Sequence, residues 1–187
     1  LGALERRRTR RPLRILQIGD SHTANDAFSG RLRERLQQRF GAAGRGWLPA
    51  GIPFAYFRPQ LVTVEESGWR HLRPAEAGPG VPLGLDASAA QSGNPAAQMI
   101  LTSTEPEGFD RFAVEFVARP NGAPLRLRID GARPIQVPTA APRLRVGRFA
   151  LALRRPAHRA ELAGTERNAA LVIGWAVPWP AVIWAVI

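Results

Sequence analysis

The chain has 187 residues, 45% of them hydrophobic, and no cysteine. That length supports one or two small domains with a real core, and the missing cysteines exclude a disulfide framework, a thiolate nucleophile and a cysteine-based metal site. The formal net charge of +11 raises nucleic acid or an anionic surface as a partner, but the charge is spread along the chain as arginine, with no lysine.

The dense basic run is Arg6-Arg7-Arg8-Thr9-Arg10-Arg11. No aromatics interleave with it, as a single-strand binding groove would require. Residues 1–12 therefore read as a solvated basic N-terminal arm, and nucleic acid is not an expected partner. The chain starts at Leu1 rather than Met and shows no signal peptide, so a lost leader is compatible with it.

Leu13-Arg14-Ile15-Leu16-Gln17-Ile18 reads as a short, mostly buried strand introduced by Pro12. Gly19-Asp20-Ser21 breaks the pattern. Phe28, Leu32, Leu36 and Phe40 then recur at the spacing of one helix face, with Arg31, Arg33, Glu34, Arg35, Gln37 and Gln38 around the rest. Thr23, Asn25 and Asp26 are candidate N-caps and Gly41 a C-terminal stop. A strand, a tight turn and a helix in this order belong to a parallel sheet.

From Gly41 the texture changes. Gly44, Gly46, Pro49, Gly51 and Pro53 predict a loop. Short β-favouring runs then recur about every ten residues: Gln60–Glu65, Gln98–Ser103, Asp110–Ala118, Leu125–Ile129 and Leu144–Leu153. Phe112, Val114 and Phe116 share one face of the third. Pro120-Asn121-Gly122, Asp130-Gly131, Gly147 and Gly164 punctuate them. This texture predicts a β-sandwich, so the fold class is α/β plus all-β. Ala169–Val177 reads as a last buried strand. Asn168–Ile187 carries no charge and is nearly long enough to span a bilayer, but Pro178 and Pro180 count against a transmembrane helix. Residues 178–187 read instead as an atypical apolar tail, from a truncated or out-of-frame end.

The chemistry concentrates in Ile18-Gly19-Asp20-Ser21-His22-Thr23-Ala24. A serine at the turn between a buried strand and a helix N-terminus presents its hydroxyl at the C-terminal edge of the sheet, where α/β sheets bind ligands. The helix N-terminus offers N–H donors and a dipole to a developing oxyanion. As a bare tetrapeptide, Gly-Asp-Ser-His also fits an ordinary capped turn.

With its flanks, Leu13–Gly46 resembles the first block of the SGNH (GDSL-like) serine hydrolases, specifically bacterial peptidoglycan O-acetylesterase-like members. The matching residues are Ile18-Gly19-Asp20-Ser21-His22-Thr23, Gly30-Arg31-Leu32-Arg33, Leu36-Gln37 and Phe40-Gly41-Ala42-Ala43-Gly44-Arg45-Gly46. The resemblance implies Ser21 as nucleophile and backbone oxyanion donor, and Asp20 as a turn-shaping neighbour. It implies a flavodoxin-like α/β/α domain begun by residues 13–51, and a carbohydrate-binding-module-like β-sandwich inserted over 52–177. Pro120–Gly131 looks like a hairpin of that insert. It also implies an acetylated carbohydrate or peptidoglycan-like glycan as partner, and a periplasmic or extracytoplasmic location.

The family pattern further needs a glycine, an asparagine and an Asp-x-x-His pair, and this chain has no Asp-x-x-His. His22, His71, His158, Asn94 and Asn121 take none of those roles. The expectation is a truncated esterase, inactive as it stands because a serine hydroxyl needs an oriented base. The alternative is a non-catalytic glycan- or protein-binding sandwich in which Trp47, Tyr56 and Trp69 stack on sugar rings, unless they are core residues. No cofactor is expected: no ligand spacing suits a metal, and Gly41-x-x-Gly44-x-Gly46 is not a nucleotide-binding motif.

Overall fold

The structure is a computed structural model that describes residues 13–19, 23, 25–41, 44–165, 170–178 and 182–186. Its strands are β1 (Leu13–Gln17), β2 (Gly44–Leu48), β3 (Val62–Ser67), β4 (Trp69–Leu72), β5 (Ala89–Ser92), β6 (Gln98–Ser103), β7 (Phe109–Ala118), β8 (Leu125–Ile129), β9 (Ile135–Val137), β10 (Arg145–Ala157), β11 (Arg159–Ala163), β12 (Leu171–Pro178) and β13 (Val182–Val186). Helix α1 is Ala27–Phe40 and the short α2 is Pro74–Ala77. Among the described residues, no helix is long and apolar enough to cross a membrane.

Two antiparallel sheets make up most of the molecule. One runs β3-β6-β11-β8-β9; the other runs β10-β7-β12-β5-β4, with β2 added on β12. Alternation explains the inner faces. Phe112, Val114 and Phe116 of β7, Leu125 and Leu127 of β8, and Met99 and Leu101 of β6 all enter one core. Arg126 and Arg128 alternate outward from β8. Trp175 of β12, 0% exposed, meets Phe112 edge-on at 6.0 Å between centroids and donates its Nε1–H to the Pro49 carbonyl at 2.6 Å. A second, smaller cluster of Leu72, Ala89, Val117, Leu171 and Ile173 is packed by Ala77, Val81 and Leu83.

The structure corrects four expectations. The glycine-rich stretch after Gly41 holds β2, which pairs with β12. The pairing lets Gly44 and Gly46 take φ of 72° and 88° within a strand, and a register irregularity lies at Val177/Pro178. The expected hairpin over Pro120–Gly131 is divided. Asp130-Gly131 leads from β8 towards its partner β9, while Pro120–Gly122 carries the chain from β7 in one sheet to β8 in the other.

The segment 178–187 is the third correction. It contains β13, which pairs in parallel with β1 from Leu13↔Val182 to Gln17↔Val186. The fourth concerns α1. Its apolar stripe is not the buried face: Phe28 is 61% exposed, whereas Ser29, Gly30 and Arg33 are buried. Leu32 and Leu36 reach only partial burial, with Ile15.

The core interdigitation gives a direct test. Trp175→Ala removes the largest fully buried side chain and its bond to Pro49, and should lower unfolding free energy by about 3–5 kcal/mol. Leu85→Ala, at an exposed position, should stay within about 0.5 kcal/mol. Urea denaturation of both variants measures the contrast, and equal losses would contradict the assigned core.

Candidate functional site

β1 delivers the chain to Gly19, and a Cβ there would lie 2.1 Å from Thr23 Oγ1. Only glycine permits this approach. Thr23 is buried. Its hydroxyl receives Gln17 Nε2 at 3.4 Å, and its carbonyl accepts the Asp26 N–H at 3.0 Å. The end of the strand and the start of the helix are thereby held together. Asp20, Ser21 and His22, which carry the expected nucleophile and its neighbours, lie outside the described residues. Of the candidate caps, Asn25 accepts the Ala27 N–H at 3.0 Å. Gly41 closes α1 by donating to the Gln37 carbonyl at 2.8 Å.

Asp26 does not cap the helix with its side chain. Its backbone sits at φ 62°, and its carboxylate points into a buried charged cluster. Ser29 Oγ donates to Oδ1 at 2.7 Å. Arg33 engages both oxygens through Nη1 and Nη2, at 3.2 and 3.0 Å. Arg45 Nη2 lies 2.9 Å from Oδ2, and the Gln60 N–H donates to Oδ2 at 2.8 Å. One carboxylate thus joins α1, β2 and the loop before β3.

Burial works against the ionised Asp26, but the Arg45 and Arg33 guanidinium groups and the Gln60 N–H outweigh it, and the carboxyl is held below its ordinary value. Arg45 is pushed down to about 9 by burial and by Arg33, with Asp26 opposing. It remains charged at neutral pH, so the cluster holds two cations and one anion. Arg33 Nε and both Nε and Nη1 of Arg45 are buried without hydrogen-bond partners.

Beside this cluster lies a cavity of about 540 Å³, lined by Gln37 of α1, Arg45 of β2, Val62 of β3, Val177 of β12 and the β6–β7 loop with Glu105 and Glu107. The sequence offered little signal for it. Asp26 was legible as a cap; Arg33 stood among other arginines, and Arg45 in a stretch expected to be a loop.

The remaining candidates are dispersed. His71 Nε2 lies 2.8 and 2.9 Å from the Glu66 carboxylate oxygens, which also accept the Ile52 N–H. His158 Nε2 lies 3.1 Å from the Pro106 carbonyl. Asn94 caps a local turn by accepting the Ala96 N–H, and Asn121 sits in a turn at φ 58°. Trp47 is buried with its Nε1–H on Glu115, Trp69 is half-buried against the core, and Tyr56 is 51% exposed and stacked on Phe54 at 4.5 Å. Asp86, bonded by Ser88, has its carboxyl raised by burial, with Ser88 opposing. Among the described residues no three acidic or histidine side chains converge as metal ligands.

The cluster sets a pH-dependent prediction. Asp26→Asn leaves two buried guanidinium groups unopposed and should cost about 3–5 kcal/mol at neutral pH. A depressed carboxyl contributes stability above its unfolded value, ordinarily 3.8, and loses it as pH falls through the lowered folded value. The gap between parent and variant in urea melts should therefore narrow on acidification below 3.8. A gap independent of pH would argue against an ionised Asp26.

No family model matches the chain, and no curated protein is similar to it in sequence. The structure reported as "Peptidoglycan O-acetylesterase in action, 5 min" is similar with a TM-score of 0.67 and 24% identity, over 95% of this chain and 47% of that one. An exo-β-1,3-galactanase from Phanerochaete chrysosporium gives 0.45 and 13%, over 72% and 29%. A mutant of the carbohydrate-binding module CBM29-2 gives 0.44 and 9%, over 75% and 95%. The chain is therefore mostly β-sheet, shares its fold with part of an O-acetylesterase chain, and spans about half the length of that chain.

Proposed function

We propose that the chain is the nucleophile-bearing part of an SGNH-type serine esterase acting on an acetylated carbohydrate or peptidoglycan-like glycan. The observation that carries this reading is the fold shared over 95% of the chain with a peptidoglycan O-acetylesterase. The close approach of Gly19 to Thr23 between β1 and α1 supports it. In this reading residues 13–51 open the hydrolase domain, with β2 also joining the sandwich sheet through β12, and 52–177 form the rest of an inserted sandwich. The parallel pairing of β13 with β1 then marks where the hydrolase sheet resumes. The protein would act outside the cytoplasm.

The chemistry is acyl transfer. The Ser21 hydroxyl attacks the acetyl carbonyl, and the backbone N–H of Ser21 is one donor to the oxyanion. The sugar hydroxyl leaves with a proton, and water then releases acetate from the acyl-serine. Among the described residues the two histidines are already engaged, His71 by Glu66 and His158 by the Pro106 carbonyl, so the base for the Ser21 proton is assigned to the Asp-x-x-His pair that the family pattern requires. The chain on its own should release acetate from an O-acetylated glycan no faster than its Ser21→Ala variant. A form extended by a segment bearing an Asp-x-x-His pair should turn over, and Ser21→Ala should reduce that turnover by about 10⁴-fold or more. Turnover that survives Ser21→Ala in the extended form would overturn the assignment.

A second reading is glycan binding by the sandwich without catalysis. Exposed Tyr56 stacked on Phe54 favours it; Trp47 and Trp69 do not, since both serve packing. Saturable glycan binding that is lost in Tyr56→Ala and unchanged in Ser21→Ala would select this reading.

A further inference from the structure

The two faces of the sandwich close against each other, but one edge stays open. β10 is the outer strand of the six-stranded sheet, and among the described residues it pairs with β7 alone. Alternate residues of β10 therefore turn their backbone N–H and C=O groups away from the sheet. Proline, bulges or short length blunt many such edges. From Arg145 to Ala152, β10 runs along β7 with no proline and no register shift.

The side chains record the same opening. On the inner face Phe149 lies opposite Val114, and Leu151 opposite Phe112. The β7 member of each pair is at most 1% exposed, whereas Phe149, Leu151 and Leu153 are only half-buried against the core. One more strand would cover that row. The outer face is cationic. Arg148 and Arg154 alternate with the inner row and are exposed, and Arg111 stands opposite Ala152 on β7. The segment carries Arg143, Arg145, Arg148, Arg154 and Arg155 and no acid. Arg148 is met by Glu115 at 3.2 Å, but Arg111 and Arg154, both exposed, form no ion pair with a described residue. These cations oppose pairing with a second copy, whose own arginines would lie alongside, and favour a strand of opposite charge.

We propose that the free edge of β10 binds an extended acidic segment of another protein, added to the six-stranded sheet as a further strand. Backbone hydrogen bonds supply the attachment and the side chains supply selection. Strand alternation fixes the pattern of the segment: apolar residues over Phe149, Leu151 and Leu153 on one face, acidic residues towards Arg111 and Arg154 on the other. The surface lies apart from the Ser21 chemistry and does not depend on it.

Fluorescence anisotropy on the whole chain tests this with short labelled peptides. A peptide alternating glutamate and valine should bind saturably. The lysine–valine and glutamate–serine versions, which lose the charge match and the apolar face, should bind at least about tenfold more weakly. So should the glutamate–valine peptide N-methylated at alternate residues, which keeps its charge and loses the edge hydrogen bonds. Arg111→Gln/Arg154→Gln, at exposed positions, should weaken the glutamate–valine peptide about tenfold and leave the thermal melt unchanged. The proposal is overturned if the glutamate–valine peptide fails to bind, if its N-methylated or lysine form binds as tightly, or if the double glutamine variant binds like the parent. It is also overturned if sedimentation shows a dimer of the chain that the peptide dissociates, which would give the edge to a second copy.

Discussion

The carboxylate of Asp26 is the point at which the separate parts of this molecule are joined. It is met by Arg33 from α1, Arg45 from β2 and the backbone N–H of Gln60 before β3. Without an ionised group there, the face of α1 carrying Ser29 and Arg33 would have no reason to turn inward, since the apolar stripe of the same helix is the better candidate for burial. The cluster thus decides which side of α1 meets the sandwich. The same residue holds Thr23, whose carbonyl accepts the Asp26 N–H. A buried ion cluster is weak evidence for stability in itself, because desolvation opposes the Coulombic gain. Its role here is better described as orientation.

The sandwich has a different source of stability. Its two inner faces interlock through Phe112, Trp175 and the leucines of β8, with non-directional apolar burial as the driving force. A second apolar layer on the outer side of the six-stranded sheet is covered by the chain between β4 and β5. The parallel pair β1 and β13 is the exception. A two-stranded sheet is marginal alone, and it stands beside a helix whose apolar stripe ends in exposed Phe28. The sandwich closes on itself, whereas the α/β portion leaves apolar surface open.

That difference also explains what could be read in advance. β6, β7 and β8 follow from alternation of large apolar residues with polar ones, which is a local property. β5 and β11 are short and rest on alanines such as Ala89, Ala90 and Ala160, which pack well but carry no β signal. β2 depends on positive φ at Gly44 and Gly46 and on pairing with β12, far along the chain. α1 was legible as a helix, but its buried face was not: the partners of Arg33 and Arg45 meet only in the folded state. The Gly-Asp-Ser-His motif reads from sequence as a turn between strand and helix, and its residues 20–22 lie outside the described residues. The cavity beside Arg45 had no sequence pattern, because its walls come from five separate segments.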